Sequence, residues 1–221
     1  MFQEVGLLCA FMGCAGFLWA QVDPCWKKTS ADLNVQPYDI CYGLYKGCTI
    51  TAAGEWICDP NLSETPLDLD IPARTHLSRA SEIIAVILTA AGLLIGGLSS
   101  DCSNISNMTD ENKRKYRTVT GWIFIIAAIM PAGAAAWWTR AIVMERYWYK
   151  YTGTPGLQFT INRAIYITFG AAFLNIVAGL CFTVFSDNGC CNSSPKEDTR
   201  YNYQPPKEMK PHRTPSAVEY V

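Results

Sequence analysis

The sequence predicts an all-α membrane protein in which four spanning helices carry a small β-sheet outside the lipid. Half of its residues are hydrophobic and only 17% are charged, and the charges gather between apolar runs. Val5–Val22, Ile83–Ser100, Thr118–Thr139 and Ala164–Ser186 contain no Asp, Glu, Lys or Arg. At about 1.5 Å per residue, even the two shorter windows reach roughly 27 Å, close to the hydrocarbon thickness of a bilayer. They are apolar all round, whereas helices of a soluble core keep one polar face. The sheet is read from Gln36–Tyr42 and Lys46–Ile50, short stretches bounded by Gly, Pro and Asn.

The first window is N-terminal, but no Lys or Arg precedes it, and Trp19 sits beside Ala20, where a signal peptide would be cut. It is read as a helix that stays. The four-span domain covers residues 1–186, with helices at about 5–22, 83–100, 118–139 (extending to about 144) and 164–186. Loops at 23–79 and 145–163 lie on one side of the membrane, and a loop at 101–117 lies on the other. A tail at 187–221, rich in proline and without an apolar period, is expected to be disordered.

Lys113, Arg114, Lys115 and Arg117 assign the middle loop to the cytoplasm. Arg140, Arg146 and Lys150 flank the opposite side, so the assignment leans also on the cysteines and the tail. Cys48 and Cys58 bracket Ala53-Gly54-Glu55, and a disulfide between them would staple two antiparallel strands joined by that turn. In an extracellular loop such a bond persists. Cys25 and Cys41 fall in the same loop and form a candidate second disulfide, since unpaired extracellular thiols oxidise.

Trp26, then Gly43-Leu44-Tyr45, Cys48 and Cys58, stand in the order and approximate spacing of the first-loop pattern of the claudins, with Tyr45 in place of the family's second tryptophan. Arg79 stands where the family has an arginine entering its second helix. Trp137-Trp138 with Ile142 and Glu145 looks like the end of the third, and Thr168-Phe169-Gly170-Ala171-Ala172-Phe173 is similar to the motif opening the fourth. The chain therefore resembles the claudin family, within the superfamily that includes the peripheral myelin protein group and calcium-channel gamma subunits.

The resemblance implies a left-handed four-helix bundle capped by an extracellular sheet made mostly from the first loop, with one strand from the second. It also implies tight-junction proteins that bind one another in cis and in trans, with both termini cytoplasmic. Such assemblies form a paracellular barrier or a charge-selective pore.

A narrow, partly dehydrated path makes fixed charge count for more than in bulk water, and acidic residues outnumber basic ones between Asp23 and Arg79. The resemblance then implies a cation-favouring pore, with Asp59, immediately after the second cysteine where some cation-selective members of the family carry a pore aspartate, as first selectivity residue, followed by Glu55 and Asp68. An ordinary solvated surface charge is the plain alternative. For side-by-side assembly the resemblance suggests Leu62 or Leu67 as an apolar plug and Tyr147, Trp148 and Tyr149 as its receiving wall, although such aromatics also populate headgroup belts. Gly92, Gly96, Gly97 and the run Ala132-Gly133-Ala134-Ala135-Ala136 are expected to let helices approach closely. Pro131 is expected to bend the third helix.

Glu219-Tyr220-Val221 suits capture by a PDZ scaffold protein of the junctional plaque, through strand addition and a held carboxylate. Cys102, Cys190 and Cys191 flank the cytoplasmic ends of spans, where S-acylation would add affinity for membrane lipid. Cys9, Cys14 and Cys181 fall inside spans as packing residues.

No catalytic or metal-ligating constellation appears, and His76 and His212 are isolated, so neither enzyme, cofactor nor metal is expected. A net charge of −1 without a basic stripe gives no reason to expect nucleic acid. The rival readings are an auxiliary channel or receptor subunit of the gamma type, which the Asn61-Leu62-Ser63 glycosylation sequon suits, and a tetraspan adhesion protein without a pore.

Overall fold

A computed structural model describes residues 2–29, 39–59, 70–99, 110–152 and 159–184. In chain order the elements are α1 (Phe2–Val22), β1 (Lys27–Thr29), β2 (Asp39–Tyr42), β3 (Gly47–Ile50), β4 (Trp56–Asp59), α2 (Asp70–Ser99), α3 (Asp110–Thr152), β5 (Phe159–Ile161) and α4 (Arg163–Val184). All belong to one unit spanning residues 1–191, and a second, Asn192–Val221, lies outside the described residues.

Each helix is long and apolar enough to cross a bilayer. The protein is a multi-pass membrane protein because a helix satisfies its own backbone in lipid and an open strand does not. Two helices outrun their apolar windows. The segment expected to be loop up to residue 79 is helical from Asp70, and α3 runs on both sides of 118–139. Over its 43 residues α3 is roughly 65 Å long, about twice the hydrocarbon thickness. A charge ends an apolar window but not a helix, since Lys, Arg and Glu are good helix formers. Pro131 is buried inside the continuous α3.

The helices pack as a square. Neighbours are α1 with α2 and α4, and α3 with α2 and α4, so α2 faces α4 across a diagonal. Three apolar layers fill the interior, around Trp26 and Trp138 at the sheet end, Phe17 and Ala128 in the middle, and Phe124 and Phe182 at the far end. Small residues set the spacing. A Cβ on Gly121 would meet the Gly179 carbonyl at 2.8 Å and one on Gly179 the Gly121 carbonyl at 2.8 Å, so α3 and α4 touch backbone to backbone. Gly92 lies under Phe124, and Gly96 beside Phe182 and Thr120. Among the described residues, nothing lies within 4 Å of where a side chain on Gly97 or Gly133 would be, so neither marks a close approach between these helices.

Two polar pairs cross the diagonal. Thr168 Oγ1 donates to Glu82 Oε1 at 3.2 Å and shares its proton with the Ala164 carbonyl, and Thr89 Oγ1 reaches Asn175 Oδ1 at 3.4 Å while donating to Ala85. Glu82, Thr168, Thr89 and Asn175 are all fully buried. From Glu82 to Thr89 and from Thr168 to Asn175 the chain advances the same two helical turns, so the pairs stack one below the other. Asn175 also donates to the Ala171 carbonyl at 3.0 Å. It lies over Gly13 of α1, where a Cβ would come within 2.2 Å of its amide nitrogen.

The sheet is five-stranded and antiparallel, in the order β4-β3-β2-β1-β5. The strands expected at Gln36–Tyr42 and Lys46–Ile50 are β2, described over Asp39–Tyr42, and β3, which begins at Gly47; residues 36–38 lie outside the described residues. β1 carries no apolar alternation and was not anticipated. β5 is the strand that the resemblance assigned to the second loop.

Gly13→Ala should lower the thermal unfolding midpoint of the detergent-solubilised protein. The double variant Gly13→Ala/Asn175→Ala should recover part of the loss, a coupling on the order of 0.5–3 kcal/mol. Equal loss in single and double variants would contradict the recess.

Candidate functional site: the disulfide-clamped sheet and its seat on the bundle

The site begins with the cysteines. Cys25 is joined to Cys41 and Cys48 to Cys58, closing sequence separations of 16 and 10 residues. Cys41 is the cross-strand partner of Cys48, and Cys48 of Cys58, so the two bonds lie side by side on one face. Together they tie the start of β1 to β2 and β3 to β4. A loop of about 15 residues closed this way stabilises by roughly 3 kcal/mol, which matters for strands of three or four residues that could not persist alone. Thr51–Glu55 makes the intervening turn, in which Gly54 has φ +82° and the Thr51 and Glu55 backbones bond at 3.0 Å.

The opposite face sits on the helices. Trp26 is fully buried, its indole N–H donates to the Ala20 carbonyl at 2.9 Å, and its ring lies 6.0 Å from Trp138 of α3. Trp138 in turn donates to Ser78 of α2 at 2.9 Å. Gly43 packs where only glycine fits, since a Cβ would fall 2.7 Å from the Asp23 carbonyl oxygen and 2.7 Å from the Pro24 carbonyl carbon. Leu44 is buried with Trp26, and its carbonyl accepts a hydrogen bond from Arg79 Nε. The Arg79 guanidinium also covers the Tyr45 ring at 5.2 Å, and the Tyr45 hydroxyl accepts from Gln21 at 2.8 Å. The five signature residues are thus one structural unit that binds the sheet to α1, α2 and α3.

Two further anchors were missed in the sequence. Asp23, its side chain almost wholly buried, accepts from the Cys25 amide at 2.9 Å and from Arg163 Nε at 2.8 Å, joining the end of α1 to the start of α4. Lys27 is buried with its ammonium 4.2 Å from the Phe159 ring centre, 5.0 Å from Tyr42 and 5.9 Å from Trp138. This cation–π box is worth on the order of 2 kcal/mol when desolvated. Charged residues in a long loop look solvated in sequence, and only the packing distinguishes these two.

Asp59 ends β4, an edge strand exposed along its whole length, and Glu55 is exposed in the preceding turn. Tyr147 and Trp148 are exposed on α3, not in a loop as expected, because the helix continues to Thr152. Near them a groove of about 200 Å³ opens between α3 and β5, lined by Ile142, Val143, Arg146, Phe159, Thr160, Ile161 and Tyr166. Asn61, Leu62, Leu67, Asp68, Cys102, Cys190, Cys191, Glu219, Tyr220 and Val221, and the side chain of Tyr149, lie outside the described residues.

Gly43→Ala and Trp26→Ala should each unseat the sheet while leaving the helices formed. For Trp26→Ala the cost should be about 3–5 kcal/mol, read as loss of the thermal transition with retained helical circular dichroism. Non-reducing peptide mapping should find Cys25 linked to Cys41 and Cys48 to Cys58. A Cys41–Cys48 peptide would contradict the pairing.

No family model matches the sequence. Among known proteins it is 26% identical to claudin-4 of Canis lupus familiaris over 203 residues, 90% of each chain. It is 27% identical to claudin-15 of Mus musculus over 192 residues, 86% of this chain and 80% of that one. It is 24% identical to claudin-18 of Homo sapiens over 231 residues, 99% of this chain and 82% of that one. Likeness to several claudins along nearly the whole chain coincides with four apolar helices and a disulfide-clamped antiparallel sheet, and the chain is similar to claudins from its first helix to its last.

Proposed function

We propose that the protein is a tight-junction claudin whose sheet faces the space between cells and whose assemblies form a charge-selective paracellular barrier or pore. The observation that carries this reading is the disulfide-clamped sheet seated on the bundle through Trp26, Gly43, Leu44 and Arg79. A rigid platform of this kind presents its edges to other copies instead of to a substrate. Two disulfides favour an oxidising compartment for the sheet end, and Lys113, Arg114, Lys115 and Arg117 at the other end favour the cytoplasm. Both termini are then cytoplasmic.

Within this reading Asp59 and Glu55, with Asp68, supply the fixed negative charge. β4 is an edge strand, so its charges are those a path between neighbouring copies would meet. Cis assembly would use the groove between α3 and β5 together with Tyr147, Trp148 and Tyr149, filled by Leu62 or Leu67 of a neighbour. Other claudins in cis and trans are the partners. Glu219-Tyr220-Val221 would bind a PDZ scaffold, and Cys102, Cys190 and Cys191 would carry acyl chains.

Freeze-fracture of transfected fibroblasts should show continuous strands at cell contacts, and their absence would favour a channel-subunit or adhesion role. In epithelial monolayers Asp59→Asn should reduce the sodium-over-chloride dilution potential. An unchanged ratio would remove Asp59 from the pore.

A further inference from the structure

The cysteines of the sheet stand in single file. From the free edge inward, Cys58 lies on β4, Cys48 on β3, Cys41 on β2, and Cys25 just before β1. Cys58 is the cross-strand partner of Cys48, and Cys48 of Cys41, so successive positions are neighbours on one face. Along this file the bonds alternate: Cys58 is joined to Cys48, a gap separates Cys48 from Cys41, and Cys41 is joined to Cys25. Directly opposed residues have Cβ atoms about 5 Å apart, so a small shift closes the gap to bonding distance. Cys25, Cys41 and Cys48 are fully buried in one cluster. Cys58 differs, for it is exposed on a strand with no partner on its outer side among the described residues.

In thiol–disulfide exchange a thiolate attacks one sulfur in line with its bond to the other, which departs. The Cys48–Cys58 bond runs outward from β3 to the edge at β4, so a nucleophile from solvent meets the Cys58 sulfur end-on. The departing sulfur is then Cys48. Its neighbour Cys41 is bonded on the far side, towards β1, so the second bond is presented end-on to Cys48.

We infer that these cysteines form an exchange relay, in which Cys58 is the modification site for a small thiol of the glutathione class and Cys25 is the thiol finally released. In the first step the incoming thiolate bonds to Cys58 Sγ, the Cys48–Cys58 bond breaks, and the electron pair leaves on Cys48. In the second, Cys48 Sγ bonds to Cys41 Sγ, the Cys25–Cys41 bond breaks, and the pair leaves on Cys25. Cys25 takes up the proton that the small thiol lost, with the Lys27 carbonyl oxygen 3.9 Å from its sulfur as acceptor. Two disulfides and one thiol stand on each side of the balance, so no other oxidant or reductant is consumed.

The covalent ties thereby move inward by one strand. β3 becomes tied to β2, while β4, the edge strand ending in Asp59, and the segment before β1 lose theirs. The exchange itself is independent of the proposed function; only its effect on a pore wall rests on that reading.

The purified full chain, incubated anaerobically with reduced glutathione and quenched with N-ethylmaleimide, tests the relay by non-reducing peptide mapping. Samples are taken early, before a second glutathione removes the first. A glutathione adduct on Cys58, a Cys41–Cys48 peptide and maleimide on Cys25 are expected together. In Cys48→Ala/Cys58→Ala both the entry point and the relay are gone, so the buried Cys25–Cys41 bond should stay closed and maleimide labelling of Cys25 should be lost. Thermal midpoint and helical circular dichroism verify that this variant is folded.

Glutathione on Cys25, Cys41 or Cys48 of the unmodified chain would overturn the inference, as would an adduct on Cys58 with maleimide on Cys48 instead of Cys25. So would two unchanged disulfides after the treatment, or labelling of Cys25 in the folded variant at the rate of the unmodified chain. A chain that shows the relay yet forms no junctional strands would defeat the proposed function and leave this inference standing.

Discussion

The seat of the sheet on the bundle is centred on the burial of Trp26. A sheet of three- and four-residue strands has too little apolar surface to hold itself in place. Its orientation comes from one indole lodged between the end of α1 and Trp138 of α3, bonded to the Ala20 carbonyl. Gly43 allows the chain to pass against Asp23 and Pro24, and Arg79 fixes the Leu44 carbonyl from the second helix. The aromatic packing and these polar contacts are mutually supporting, so the sheet inherits the positions of three helices.

The interior of the bundle solves a different problem. Lipid tails are as apolar as the helices, so apolar side chains alone do not choose one helix rotation over another. The pairs Glu82 with Thr168 and Thr89 with Asn175, stacked across the diagonal, reward one register of α2 against α4. Gly13 and the Gly121–Gly179 contact admit only one spacing of the other faces. A buried polar group in a bundle is costly unless partnered, and a slip of either helix would break both pairs together.

The two ends of α3 illustrate how one helix serves two environments. Its uncharged centre matches the bilayer, while both extensions carry cations, and the one towards the sheet adds Tyr147 and Trp148. Length beyond the uncharged run lets α3 reach the sheet and pack against β5.

The four spans were legible because the absence of charge over a bilayer's thickness is a one-dimensional property that lipid imposes wherever the chain folds. The Cys48–Cys58 staple was legible because a turn between two short strands brings close positions in the sequence into register. The signature residues could be located, but not their work: that Gly43 is there for Asp23 and Pro24, or that Arg79 bonds to the Leu44 carbonyl, involves segments far apart in the chain. The same limit hid the Asp23–Arg163 pair, the Lys27 aromatic box and the diagonal Glu82–Thr168 contact, which bring together residues from different elements. Helix ends beyond the apolar windows, and which glycines face a neighbour, were likewise decided by tertiary packing, because local propensity permits several answers and only the partner across the interface selects one.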